Sequence, residues 1–111
     1  MNPHPKEKPI RSEAYRRYVS ELPCFNCHKA PPSQAAHADL GKGMAIKSSD
    51  LSCYPLCPAC HVLWGASGTN PREVRREFER MAAIETQATL IHQALNDEKL
   101  RRLLAKLGLV K

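Results

Sequence analysis

Four of the five cysteines stand as two C-x-x-C pairs, Cys24 with Cys27 and Cys57 with Cys60, and 29 residues separate the pairs. The short spacing lets both sulfurs of a pair converge on one cation about 2.3 Å away. Two such pairs supply four thiolates, enough to fill a tetrahedral Zn²⁺ and leave no position open for substrate. The chemistry expected of them is structural: a zinc ion that ties two distant chain segments together. A redox dithiol and an iron–sulfur centre are the rival uses of the pattern. Cys53 lies outside both pairs and reads as a small buried side chain. Two histidines sit beside the knuckles. His37 lies between them, in Ala35-Ala36-His37-Ala38-Asp39, and His61 follows Cys60 directly.

These side chains need elements to hold them. Ser12 reads as an N-cap, with Glu13 in the first turn of a helix over Glu13–Glu21. Tyr15, Tyr18, Val19 and Leu22 fall toward a core, and Pro23 ends the helix at the first knuckle. Ala35–Leu40 is expected as a short strand carrying His37, and Leu51–Leu56 as a second strand leading into Cys57. Pro58 suits the first turn of a helix bearing His61 and Trp64 that stops near Gly65 or Gly68. Thr69 or Asn70 is expected to cap a long helix with Pro71 at its first position. Its apolar positions are Val74, Phe78, Met81, Ile84 or Ala88, Ile91 and Leu95, spaced by threes and fours. Asn96 and Asp97 mark a break before a last helix carrying Leu100, Leu103, Leu104 and Leu107, with Gly108 as its stop. The long stripe either packs on this last helix as a hairpin or builds the seam of a homodimer.

The chain of 111 residues fits one small domain, and a core of that size benefits from a metal staple. Seventeen Lys and Arg against 11 Asp and Glu give a net charge of +6, which points to a polyanion, with DNA the leading partner. The N-terminus is polar and proline-rich without an apolar signal core, so secretion is not expected. The longest uncharged run, Leu51–Pro71, holds prolines, glycines, a histidine and cysteines and does not read as a membrane span. No partner membrane is expected.

Five stretches in one order resemble the HNH endonuclease family, closest to the small phage and prophage type related to the recombination-enhancement nuclease. They are Leu22-Pro23-Cys24-Phe25-Asn26-Cys27, Ala36-His37, Gly41-Lys42-Gly43-Met44, Lys47-Ser48-Ser49-Asp50-Leu51 and Tyr54-Pro55-Leu56-Cys57-Pro58-Ala59-Cys60-His61. The resemblance covers roughly residues 11–65, about half the chain. It implies a small zinc-stapled α+β domain: a ββα-metal finger with an N-terminal helix and a C-terminal helical extension. Residues 1–11 would be an arm, 12–68 the HNH-like core and 69–111 the extension. By position, His37 would be the general base that activates water, and Asp50 would orient the histidine loop. His61 would bind a catalytic divalent metal (Mg²⁺, Mn²⁺, Ni²⁺ or Zn²⁺), with Asp39 its local candidate second ligand. The implied activity is metal-dependent hydrolysis of DNA phosphodiesters, in the cytoplasm of a bacterial host. One turn after His61, where the family usually carries another ligand, the sequence has Gly65. The alternative is a zinc-stapled DNA-binding module with weak or lost turnover. Arg72, Arg75, Arg76 and Arg80 read as either a phosphate grip or a solvated face paired with interleaved glutamates, and Lys42 and Lys47 as phosphate contacts.

Overall fold

A hydroxyl starts the first element of the computed structural model, which describes residues 9–38, 49–65 and 68–111. The Ser12 side chain accepts from the Tyr15 amide at 3.1 Å and opens helix α1, Glu13–Ser20. Tyr15 and Val19, four apart, are its buried residues. Strands β1 (Gln34–His37) and β2 (Cys53–Leu56) pair antiparallel, and a 3₁₀ turn over Asp50–Ser52 leads into β2. Asp39 and Leu40, the expected end of the first strand, lie outside the described residues. Pro58 begins helix α2, Pro58–Leu63. Helix α3 runs Arg72–Gln93, and helix α4 runs Glu98–Lys106 from the Asp97 cap, whose carboxylate accepts from the Leu100 amide at 3.0 Å. Gly108, at φ +86°, ends α4: its amide bonds Ala105, and the Leu109 amide bonds Leu104.

The sheet has two strands and two covered faces. Its register pairs Gln34 with Leu56, Ala35 with Pro55, Ala36 with Tyr54 and His37 with Cys53. Directly opposed residues share a face and neighbours alternate. Ala36, Tyr54 and Leu56 therefore face one core, with Cys24, Cys57, Cys60, Ala82 and Ala83. Ala35 and Cys53 face the other, with Tyr15, Val19, Leu90, Ala94, Leu100 and Leu104. Helix α3 is common to both cores.

Phe78 of α3 is the hinge pin of the first core. Its ring stacks on Trp64 at 3.8 Å and meets Phe25 and Tyr54 edge-on at 5.5 and 5.9 Å. One contact therefore joins the first knuckle, β2, the end of α2 and α3. At the α2–α3 link, a Cβ on Gly68 would stand 2.1 Å from the Leu63 carbonyl oxygen, which confines that position to glycine.

Two expectations for α3 need correction. Neither Thr69 nor Asn70 caps it: Pro71 is the cap residue, and the Asn70 amide instead donates to the Leu63 carbonyl at 3.5 Å. More consequentially, the expected apolar stripe is its core face only in part: Phe78 and Ile91 pack against the cores. Val74, Met81, Ile84 and Leu95 are exposed, while Ala82, Ala83, Thr86, Leu90 and Ala94 are buried. Small side chains let a helix axis approach a sheet closely, so the alanines won the contact that larger side chains would have held off. The expected hairpin does form, but Leu100 and Leu104 of α4 meet Leu90 and Ala94 instead of the stripe.

Candidate functional site

The four knuckle sulfurs come together although the two pairs lie far apart in sequence. The Sγ atoms of Cys24, Cys27, Cys57 and Cys60 all lie within 4.8 Å of one another. Cys27 Sγ is 3.7 Å from Cys57 Sγ. Sulfurs held 2.3 Å from one tetrahedral zinc stand about 3.8 Å apart, so this set fits the ion. The first knuckle is a tight turn in which the His28 amide bonds the Cys24 carbonyl at 2.9 Å, with His28 at φ +65°. The Phe25 amide bonds the Pro55 carbonyl at 2.8 Å and fastens this turn to β2.

The local field suits thiolates. Burial opposes ionisation of Cys24, but backbone amides at Cys27, Cys57 and Asn26 outweigh it and hold the thiol down to about 6. The Asn26 side chain donates to Cys60 Sγ at 3.3 Å and favours its thiolate. Burial and crowding by the sulfurs of Cys57, Cys27 and Cys24 nevertheless push Cys60 up to about 12. That opposition among neighbouring sulfurs is what a divalent cation relieves. Cys53 is not one of the set. It is fully buried, and burial together with the Asp50 charge pushes its thiol up to about 12.

A second cluster forms where β1 ends beside the start of α1. Asp50 is buried, 2% exposed in its side chain, and both its oxygens are engaged. Oδ1 accepts from His37 Nε2 at 2.8 Å and Arg11 Nη1 at 3.2 Å. Oδ2 accepts from the Ser12 amide at 2.7 Å and Arg16 Nε at 3.1 Å. Burial works against the carboxylate, yet His37, the Ser12 amide, Arg16 and Arg11 together hold it below the usual carboxylate range. An ionised carboxylate only accepts, so His37 Nε2 carries the proton and Nδ1 carries the lone pair. Nδ1 makes no hydrogen bond to a described residue, and the His37 side chain is 38% exposed.

His61 is elsewhere. Its Nδ1 lies 2.6 Å from Gln34 Oε1, at the opposite end of β1 from His37. Gln34 belongs to the sheet face of Ala36, Tyr54 and Leu56, whereas His37 belongs to the face of Cys53. The resemblance implied His37 as base beside a metal held by His61; the alternation of the strand sets the partners of the two histidines on opposite faces. Asp39, Lys42 and Lys47 lie outside the described residues. Nor do His37, Asp50 and Cys53, whose ligand atoms lie within 4.8 Å, suit a cation, because Asp50 already faces two guanidinium groups and Cys53 holds its proton.

A family model described as "Protein of unknown function (DUF968)" matches residues 2–97. The chain belongs to this family. The match takes in both knuckles, His37, Asp50 and His61, and ends just before α4. No curated protein and no solved structure matches the chain. Among the described residues, no helix is long and apolar enough to cross a membrane.

The resemblance anticipated Asp50 beside the His37 loop, but nothing in the sequence pointed to the partner of His61. Gln34, which holds His61, carried no motif. Arg11 and Arg16 clamp Asp50. A signal was present: Arg16 lies one helical turn after the Ser12 cap and so shares its side of α1.

Proposed function

We propose that this chain is an endonuclease of the HNH type that hydrolyses DNA phosphodiesters, with His37 as general base. The observation that carries the reading is the 2.8 Å bond between His37 Nε2 and Asp50 Oδ1. Asp50 holds the ring in the tautomer that keeps Nδ1 free to accept a proton from water, and its charge stabilises the imidazolium that results. Arg11 and Arg16, half exposed at 49% and 44%, add positive potential beside the ring, where a phosphate would lie. A net charge of +6 favours binding to a phosphate backbone. Zinc held by Cys24, Cys27, Cys57 and Cys60 keeps both strands in place and takes no step in the reaction. A divalent cation supplies charge stabilisation at the phosphate in HNH chemistry. The described residues do not form its seat, and none of the roles above depends on it.

The position of His61 favours a second reading, a zinc-stapled DNA-binding module without turnover, since its bond to Gln34 on the far sheet face leaves it away from His37. A plasmid-nicking assay with Mg²⁺, Mn²⁺ or Ni²⁺ separates the two. His37→Ala is expected to lower the nicking rate by roughly 10²–10⁴-fold with zinc content unchanged. Equal rates for wild type and variant with every cation would end the enzyme reading. Retention on DNA at low salt would then support the binding module.

A further inference from the structure

The outward face of α3 carries apolar side chains that no described core covers. Val74, Met81, Ile84 and Leu95 are 47%, 49%, 59% and 74% exposed, and Ala88 between them is also exposed. At 100° per residue Val74, Met81, Ile84 and Ala88 fall within a narrow arc opposite Ala82, Thr86 and Leu90, the face turned to the cores, and Leu95 follows in the 3₁₀ turn Ala94–Asn96. A solvent-facing helix side is ordinarily polar, so α3 is amphipathic twice over.

The spacing identifies the occupant. Val74, Met81, Ala88 and Leu95 recur every seventh residue, and Ile84 and Ile91 follow three residues after Met81 and Ala88; Glu77 stands three after Val74, so the apolar repeat is unbroken only from Met81. An alternating three–four repeat is the pattern by which one helix seats its side chains between those of another like it. Ile91 is half buried against the second core and forms the edge of the seam. The flanks are charged with opposite signs. Arg80 lies on one side and Glu85 on the other, five residues apart, the offset at which flanking side chains of two parallel helices meet. Arg80 now bridges Glu77 at 3.6 Å across an exposed surface, a contact it can exchange at little cost.

We infer that a second copy of this chain docks on this face, α3 against α3, with Met81, Ile84 and Ala88 at the centre and Arg80 facing Glu85 of the partner subunit. The interface is self-complementary, as a two-fold dimer requires. It is independent of the nuclease reading, because His37 and Asp50 lie at the end of the sheet and not on this face.

Sedimentation equilibrium of the zinc-loaded full chain tests it. The wild type is expected to pass from monomer to dimer as concentration rises to about 0.5 mM. Ile84→Asp is expected to raise the dissociation constant at least about 30-fold, because each dimer loses two central apolar contacts and gains two buried charges. Zinc content and helical circular dichroism should not change, Ile84 being exposed in one copy. Arg80→Glu should weaken the dimer, and adding Glu85→Arg in the same chain should restore it. A monomer throughout this range, a dimer indifferent to Ile84→Asp, or a charge reversal that does not rescue would overturn the proposal. So would a drop in melting temperature for Ile84→Asp that is independent of concentration, which would mean that another segment of the same chain covers the face.

Discussion

Asp50 holds more of the second cluster together than any other residue. It joins the start of α1 to the turn before β2, through the Ser12 amide and two arginines on one side and His37 on the other. Asp50→Asn keeps the shape but turns an amide toward groups that all donate. It is expected to cost about 2 kcal/mol in urea unfolding, the lower part of the range for a broken buried pair, because both arginines are partly solvated. The pH dependence has a definite sign. The folded carboxyl titrates below its unfolded value, so its contribution is complete above about pH 4 and is lost as pH falls through the folded value. The gap between wild type and Asp50→Asn should therefore close in acid. Acid also displaces zinc from thiolates, so the comparison is made between the two proteins at each pH, where that effect cancels.

At the scale of elements, α3 is decided by which of its two apolar faces reaches the sheet. Ala82 is fully buried, whereas Met81 beside it is 49% exposed. Ala82→Leu should force α3 off the sheet and cost roughly 1–3 kcal/mol. Met81→Gln should leave monomer stability within about 0.5 kcal/mol. Urea melts at low protein concentration, where dimer is absent, measure both. Equal losses would mean that the orientation of α3 is wrong. The helix was legible in the sequence from its periodicity, and so were the caps at Ser12 and Asp97. Its facing was not, because a spacing of threes and fours suited two stripes and the more hydrophobic one attracted the reading.

For the whole molecule, Phe78 and the four-cysteine cluster, which could hold zinc, tie the two cores together. The knuckles fix Phe25 and the end of β2, and Phe78 joins both to α3, which also lines the second core. One zinc per chain is expected by native mass spectrometry. Chelation, or Cys24→Ser, should remove it and melt α1 and α4 together with the sheet, not the knuckles alone. Loss of helical circular dichroism in a single transition would check this; retention of α3 and α4 after complete zinc removal would contradict it.

Identity and spacing along the chain were sufficient for the cysteine quartet, the helices and the two strands, because each follows from local geometry. Which side chains share a face did not follow, since that depends on strand register and on how closely two elements approach. The register placed His37 with Asp50 and His61 with Gln34, on opposite sides of one short hairpin. Close approach of small residues turned the alanines of α3 inward and left Val74, Met81 and Ile84 exposed. Tertiary structure thus brought the four cysteines together as their spacing implied, and set the partners of His37 and His61 at opposite ends of one short hairpin.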